Sequence, residues 1–346
     1  MKKSLLFIFS MVLVMSLDAQ SLEDTLKNLP HVHSPVFSGS GNESIVCYKS
    51  SHRNTFFAIT GLIVALAIVL FKLYVFNRKT THKLQKQKQI IEEKNKDITD
   101  SINYARRLQN AILPPTEQVN AIMPEHFILY QPKDIVSGDF YWISDLEDDI
   151  FVAAIDCTGH GIPGALLSII GHNAINKSIN ELKIRQPATI MDSMNNTVKK
   201  VLHQEEGSNL RDGMDMALCN LNRKTGALQY AGANNNLYIV SDNKLSIVKA
   251  SKLTVGTVEE HITEPPINHS LQLKKGDCFY IFSDGYADQF GGIDNKKFKS
   301  VRFQELLLSI SHLPMAEQQA KLLTAFTNWK GNNEQVDDVL VIGVRY

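Results

Sequence analysis

The sequence is short of the features that mark several large classes of protein. Its 346 residues include only four cysteines, Cys47, Cys157, Cys219 and Cys278, and no two form a CxxC pair. That argues against zinc ribbons and disulfide frameworks. Reduced thiols are the simple reading for the last three. Net charge is absent too: 36 Lys and Arg balance 36 Asp and Glu, which gives no reason to expect a nucleic-acid partner. There is no P-loop GxxxxGK[ST]. No His-box is followed by a glycine-rich ATP lid, so a sensor kinase is disfavoured despite the membrane layout described below. No internal repeat is visible.

Long apolar runs, by contrast, are present. Residues 1–20, MKKSLLFIFSMVLVMSLDAQ, place two lysines before about 14 mostly apolar residues and then small and polar ones. This is the anatomy of a signal peptide, with an uncleaved signal anchor as the alternative. Residues 56–76, FFAITGLIVALAIVLFKLYVF, carry a single charge, Lys72, near the end where its stem reaches an interface. About 20 apolar residues cross a hydrocarbon core, so 56–76 reads as a transmembrane helix, a buried core helix being the other possibility. Lys72, Arg78, Lys79, Lys83, Lys86 and Lys88 follow with no acid before Glu92. The positive flank stays inside, which predicts a single-pass protein of the cytoplasmic (inner) membrane. Residues 21–55 form a short extracytoplasmic segment and 77–346 lie in the cytoplasm. His31 and His33 in that outer segment read as part of a solvated loop rather than a metal site.

Residues 77–113 contain no Gly or Pro until Pro114 and Pro115, which predicts one helix. Leu84, Ile91, Ile98, Ala105 and Ile112 recur every seventh residue, one coiled-coil seam. The second seam is polar at Gln87, Lys94 and Ser101 before Leu108. The segment reads as a stalk that forms a homodimer when tethered in a membrane, against the simpler reading of a solvated spacer.

From about Phe127 strand-like runs dominate, among them FILYQP, GDFYWIS, DIFVAAID, MDMALCNLN, ALQYAGA, NLYIVSD and VLVIGVRY. Turn signals such as DLEDD, NRKTG, DNK and KKGD separate several of them. Helical stretches begin at Pro163, Pro187 and Phe303. Hairpins with inserted helices predict an α+β domain with antiparallel sheets over 114–346.

Lone carboxylates mark the ends of these strands. Asp139 precedes FYW, Asp156 ends VAAID, Asp284 follows CFYIFS, and Asp337 and Asp338 precede VLVIGV. Gly138, Gly159, Gly161 and Gly285 adjoin them and permit close backbone approach. One such acid is usually a turn residue or a helix cap. A set of them, buried and unpaired, would repel, and a shared hard divalent cation removes the problem. Two such ions can hold and ionise a water for attack on a phosphate.

The four segments VSGDFYW, DCTGHGIPGALLS, FSDGYAD and VDDVLVIGV, in this order, resemble the bacterial branch of the metal-dependent PPM/PP2C-type serine/threonine phosphatases. That branch is named for the stage II sporulation phosphatase and a stress-response phosphatase. SINYARRLQNAILPP is similar to the linker helix found before many such domains. The resemblance implies a PP2C-like antiparallel β-sandwich flanked by helices. It implies two Mn²⁺ or Mg²⁺ ions held by Asp139, a bridging Asp156, the backbone carbonyl of Cys157, Asp284 and Asp337. Asp338 either assists or caps the turn. It implies His160 as a catalytic group beside Asp156, donating a proton to the leaving serine oxygen, with packing beside the turn as the alternative. It further implies hydrolysis, by a metal-bound water, of phosphoserine or phosphothreonine on a signalling protein, usually a STAS-type anti-sigma-factor antagonist. A catalytically silent phosphatase-fold adaptor is the alternative function.

Two departures stand out. Leu340 occupies the position where the family often has Thr, and is expected in the strand core. No basic residue near Asp139 matches the phosphate-binding arginine of eukaryotic relatives, which would leave phosphate binding to the metals alone. Arg211-Asp212-Gly213-Met214-Asp215 reads as a turn with a strand-edge acid rather than part of a site.

Overall fold

The computed structural model describes residues 41–203, 212–257 and 265–346, with side chains from Arg53 onward. The expected signal peptide, His31, His33 and Arg211 lie outside the described residues. The chain divides into two units, Met1–Gln87 and Lys88–Tyr346.

Helix α1 (Gly41–Ile112) ends just before Pro114, as the absence of helix breakers predicts. In the first unit its apolar stretch is almost entirely exposed, Leu62 by 71%. By length and composition alone, this stretch suffices to cross a membrane. Leu84, in the first unit, is exposed, as are the heptad residues Ile91 and Ile98 of the second.

The second unit holds two five-stranded antiparallel sheets. One runs β1 (His126–Gln131), β12 (Val339–Arg345), β9 (Cys278–Phe282), β6 (Leu237–Ser241), β7 (Lys244–Val248). The other runs β2 (Phe140–Leu146), β3 (Asp149–Cys157), β4 (Met214–Asn222), β5 (Ala227–Ala233), β8 (His269–Gln272). A short ribbon pairs β10 (Phe290–Gly291) with β11 (Lys296–Lys297). The helices are α2 (Thr116–Ile122), α3 (Ile162–Asn176), α4 (Pro187–Val201), α5 (Gly285–Asp288), α6 (Ser300–Ile310) and α7 (Met315–Lys330), with a π-helical turn at Lys177–Glu181 after α3. This is the α+β architecture of antiparallel sheets with inserted helices expected from the sequence. The stretch from Phe303 onward is two helices, because Pro314 cannot continue the first and starts the second. Across the KKGD turn the chain changes sheet, from β8 in one to β9 in the other.

Strand patterning explains the layers. On β3, Ile150, Val152 and Ala154 join the core between the sheets, with Ala217, Tyr230, Phe279, Ile281, Leu340 and Ile342. Phe151, Ala153, Ile155 and Cys157 on its other face pack under α3 and α4 with Leu167, Ile175, Ile190 and Met194. The sister sheet does the same: Tyr280, Phe282 and Val341 meet Phe303, Leu307 and Phe326 of α6 and α7. A strand covered on both faces reads as a continuous apolar run. Leu340 is fully buried between the sheets, where strand packing was expected to place it.

Antiparallel order gathers the acids. β3 runs against β2 and β4, so its C-terminal end lies beside their N-terminal ends. β1 and β9 run against β12 in the same way. One end of the sandwich therefore receives Asp139, Asp156, Asp284, Asp337 and Asp338.

Candidate active site

The floor of the site is Asp139, 2% exposed in the loop leading into β2. Ser283, just after β9 in the opposite sheet, donates its hydroxyl to Asp139 Oδ2 at 2.5 Å. Burial first, and then the charge of Asp156, push the Asp139 carboxyl well above its usual range. Asp156, the penultimate residue of β3, is pushed up to about 8 by burial and then by Asp284, Asp337 and Asp215. Asp284 is pushed up to about 6 by burial and then by Asp288, Asp337 and Asp215, with Lys297 opposing. These strand-end acids thus feel one another's charge, which is the arrangement expected of a shared cation site.

Asp338 does something different from its neighbours. Its Oδ1 accepts the amide of Lys133 and its Oδ2 the amide of Gly138, each at 2.7 Å. Both of its carboxylate oxygens hold the β1–β2 loop. Asp337 Oδ1 accepts the Asp338 amide at 2.9 Å, and Asp337 lines the cleft.

Two glycines let these loops meet. A Cβ on Gly138 would lie 2.8 Å from the Gly159 carbonyl oxygen and 3.0 Å from that of Cys157. One on Gly285 would lie 2.0 Å from the Asp338 carbonyl oxygen. Gly159 and Gly161 serve differently, as turn residues with φ of 88° and 62°.

Above this floor a cleft of about 270 Å³ is lined by Asp156, Cys157, Thr158, Gly159, His160, Asp284 and Asp337. Four residues not assigned to the site from sequence join them or support them. Asp215, the second residue of β4, lies directly opposite Asp156 in the sheet register and lines the cleft. It accepts hydrogen bonds from Asn234 Nδ2 at 2.9 Å and Thr254 Oγ1 at 2.8 Å. Asp215 is thus the strand-edge acid expected from sequence, and it also lies on the cleft wall. The rule that found the others, an acid where an apolar strand begins, applies equally to MDMALC. Thr254 lines the cleft as well.

Lys133 also lines it, on the loop pinned by Asp338. This corrects the expectation of no nearby cation. Its signal was hidden because five residues of loop separate it from Asp139. The fourth is Asp134, whose Oδ2 lies 2.9 Å from His160 Nδ1. Both partners are largely exposed. The Cys157 thiol is buried and its acidity suppressed by that burial; it lies at the end of β3, packed under the helices.

Among the described residues no three His, Cys, Asp or Glu side chains close into a ready-made metal cage. The donor set nonetheless fits a hard divalent cation: buried oxygen ligands whose pKa values are raised by burial and by one another's charge.

Residues 147–346 match the family of Stage II sporulation protein E (SpoIIE). The chain belongs to the SpoIIE family. More than half of its length carries this PP2C-type serine/threonine phosphatase domain, including Asp156, His160, Asp215, Asp284, Asp337 and Asp338. Asp139 falls just before the matched residues. The SiaA PP2C domain of Pseudomonas aeruginosa is 32% identical, with a TM-score of 0.67 over 73% of this chain and 98% of that one. The phosphatase-domain structure of SpoIIE from Bacillus subtilis has the same fold, with a TM-score of 0.52 at 17% identity over 64% of this chain and 63% of that one. The phosphoserine phosphatase RsbU of Bacillus subtilis is 27% identical over 160 residues, 45% of this chain and 44% of that protein. The match thus spans less than half of that curated relative. PP2C-type phosphatases are in general metal-dependent.

Proposed function

We propose that this chain is a membrane-anchored, Mn²⁺- or Mg²⁺-dependent phosphatase acting on phosphoserine or phosphothreonine of a signalling protein. The single observation that carries the reading is the convergence of strand-end aspartates whose carboxyls raise one another's pKa around one cleft. Asp139, Asp156, Asp284 and Asp337, with the Cys157 carbonyl, would hold two cations. When bound, those cations supply charge neutralisation for the phosphoryl group and an ionised water.

The remaining roles belong to the chain itself. Asp338 fixes the loop that carries Lys133 and Asp139. Lys133 offers the phosphate a cation on the cleft wall. His160 donates its Nδ1–H to the Asp134 carboxylate, and in the imidazolium form the second ring proton, on Nε2, passes to the leaving serine oxygen. Ser283 donates to Asp139 and sets its orientation.

The substrate follows from the resemblance to the phosphoserine phosphatase branch, and a STAS-type anti-sigma-factor antagonist is the protein it favours. Residues 1–20 as signal peptide, 21–55 as outer segment, 56–76 as the span and 77–113 as a dimeric stalk complete the reading. The exposed seam of Leu84, Ile91 and Ile98 supports the stalk, and Ile98→Lys should lower the dimer fraction of full-length protein in light scattering.

The deciding experiment is phosphate release from a phosphoserine protein with Mn²⁺, with Mg²⁺ and with chelator. Release that needs metal and disappears in Asp156→Asn supports the enzyme. Metal binding without release favours the silent adaptor.

A further inference from the structure

Gln109 is a buried polar residue of α1, 2% exposed, while its neighbours Leu108 and Asn110 are exposed. Its amide reads the backbone of a residue 28 positions away. Oε1 accepts the Ser137 N–H at 3.0 Å and Nε2 donates to the Ser137 carbonyl at 2.6 Å. The same Nε2 donates to Ser168 Oγ of α3 at 3.0 Å. Ser168 in turn donates to the Ala165 carbonyl at 2.8 Å.

Ser137 lies outside every strand, so no neighbouring strand satisfies its buried N–H and C=O. Those groups need other partners, and one side-chain amide supplies both. The next peptide, Gly138 N–H, goes to Asp338. The two residues before Asp139 are therefore held by α1 and by Asp338, the residue before β12.

We propose that Gln109 is a positioning residue for the Asp139 metal ligand. The proposal rests on the phosphatase reading above, in which Asp139 holds a cation. Gln109 does not touch substrate or cation. It fixes the backbone from which Asp139 projects, and so sets how tightly the carboxylates close on a metal. Removing it leaves the Ser137 groups unpaired in a dry site, where unsatisfied polar groups are costly, and the loop relaxes to find other partners.

The test is Mn²⁺ affinity by titration calorimetry on the full-length chain. Gln109→Met keeps length and volume and removes all three bonds. Its Mn²⁺ affinity should fall about tenfold, the lower end for groups that orient metal ligands. Phosphate release should recover at saturating Mn²⁺ with KM for the phosphoserine protein unchanged. A role in packing alone would not be rescued by metal. Ser168→Ala, a milder change, should weaken Mn²⁺ binding about two- to threefold, since one neutral bond of three is lost. It also decides the matter if Gln109→Met does not fold. Wild-type affinity in a folded variant overturns the proposal. A wild-type chain that binds no Mn²⁺ overturns the metal reading itself, and this proposal with it.

Discussion

Asp156 and Asp215 face each other across β3 and β4 as directly paired residues. Like charges in this position destabilise a sheet. Asp215 is among the charges that raise Asp156 to about 8. A pair of this kind persists at a strand end only where something other than stability selects it.

Asp215→Asn should therefore stabilise the metal-free protein, by about 0.5–1 kcal/mol on the scale of a cross-strand pair. Asparagine keeps an oxygen for Asn234 and Thr254, so the loop anchors survive. The same change should weaken Mn²⁺ binding. Thermal melts in chelator and calorimetry with Mn²⁺ check the two halves separately; a lower melting temperature in chelator would refute the repulsion argument.

Stability without metal should fall as pH rises. Asp156 and Asp284 titrate near 8 and 6 in the fold but near 4 when unfolded. Between those values the folded state binds more protons, so unfolding free energy declines with pH, by about 1.4 kcal/mol per pH unit for each full proton of difference. The contribution is complete below pH 4 and gone above 8. Mn²⁺ added at pH 8 should restore the loss. Denaturant titrations at pH 5 and 8, with and without Mn²⁺, measure this.

Lys133→Ala should act on substrate more than on turnover. A charge-assisted bond to phosphate is worth about 1.5–3 kcal/mol, which predicts a rise in KM of about tenfold or more. The loop stays in place because Asp338 binds the Lys133 backbone amide, not its side chain. Steady-state kinetics on a phosphoserine protein distinguish this from a general loss, in which kcat would fall alone.

His160→Gln should lower kcat by about 10²-fold, the lower range for a general acid. Asp134→Asn should lower it less and leave KM alone, because the asparagine amide no longer selects the Nδ1–H form of the ring. The exposed pair contributes little to stability, so melting temperatures should stay put. Equal kcat in wild type and both variants would remove His160 from the chemistry.

Much of this molecule could be read in one dimension. Asp139, Asp156, Asp284 and Asp337 were each visible as an acid at the edge of an apolar run, because a strand must leave the core where its hydrophobic pattern stops. Asp215 obeyed the same rule but sat in a charged cluster that looked like an ordinary turn. Asp338 was visible as an acid but not as a clamp, since Lys133 and Gly138, its partners, are about 200 residues away in sequence. Lys133 and Asp134 had no local signature at all. A loop residue's direction is set by what pins the loop, and that pin is Asp338.

Sequence alone settled the alternation of apolar runs and breakers, and with it the strands, the helices, the apolar stretch of α1 and the family. These depend on local periodicity and on short motifs, which a chain displays before it folds. Tertiary structure decided which acids share a cleft, that Asp215 opposes Asp156, and that Gln109 of α1 holds the Ser137 backbone. Those are matters of antiparallel register and loop packing between distant segments, where a shift of one residue would turn each carboxylate to the other face of its sheet.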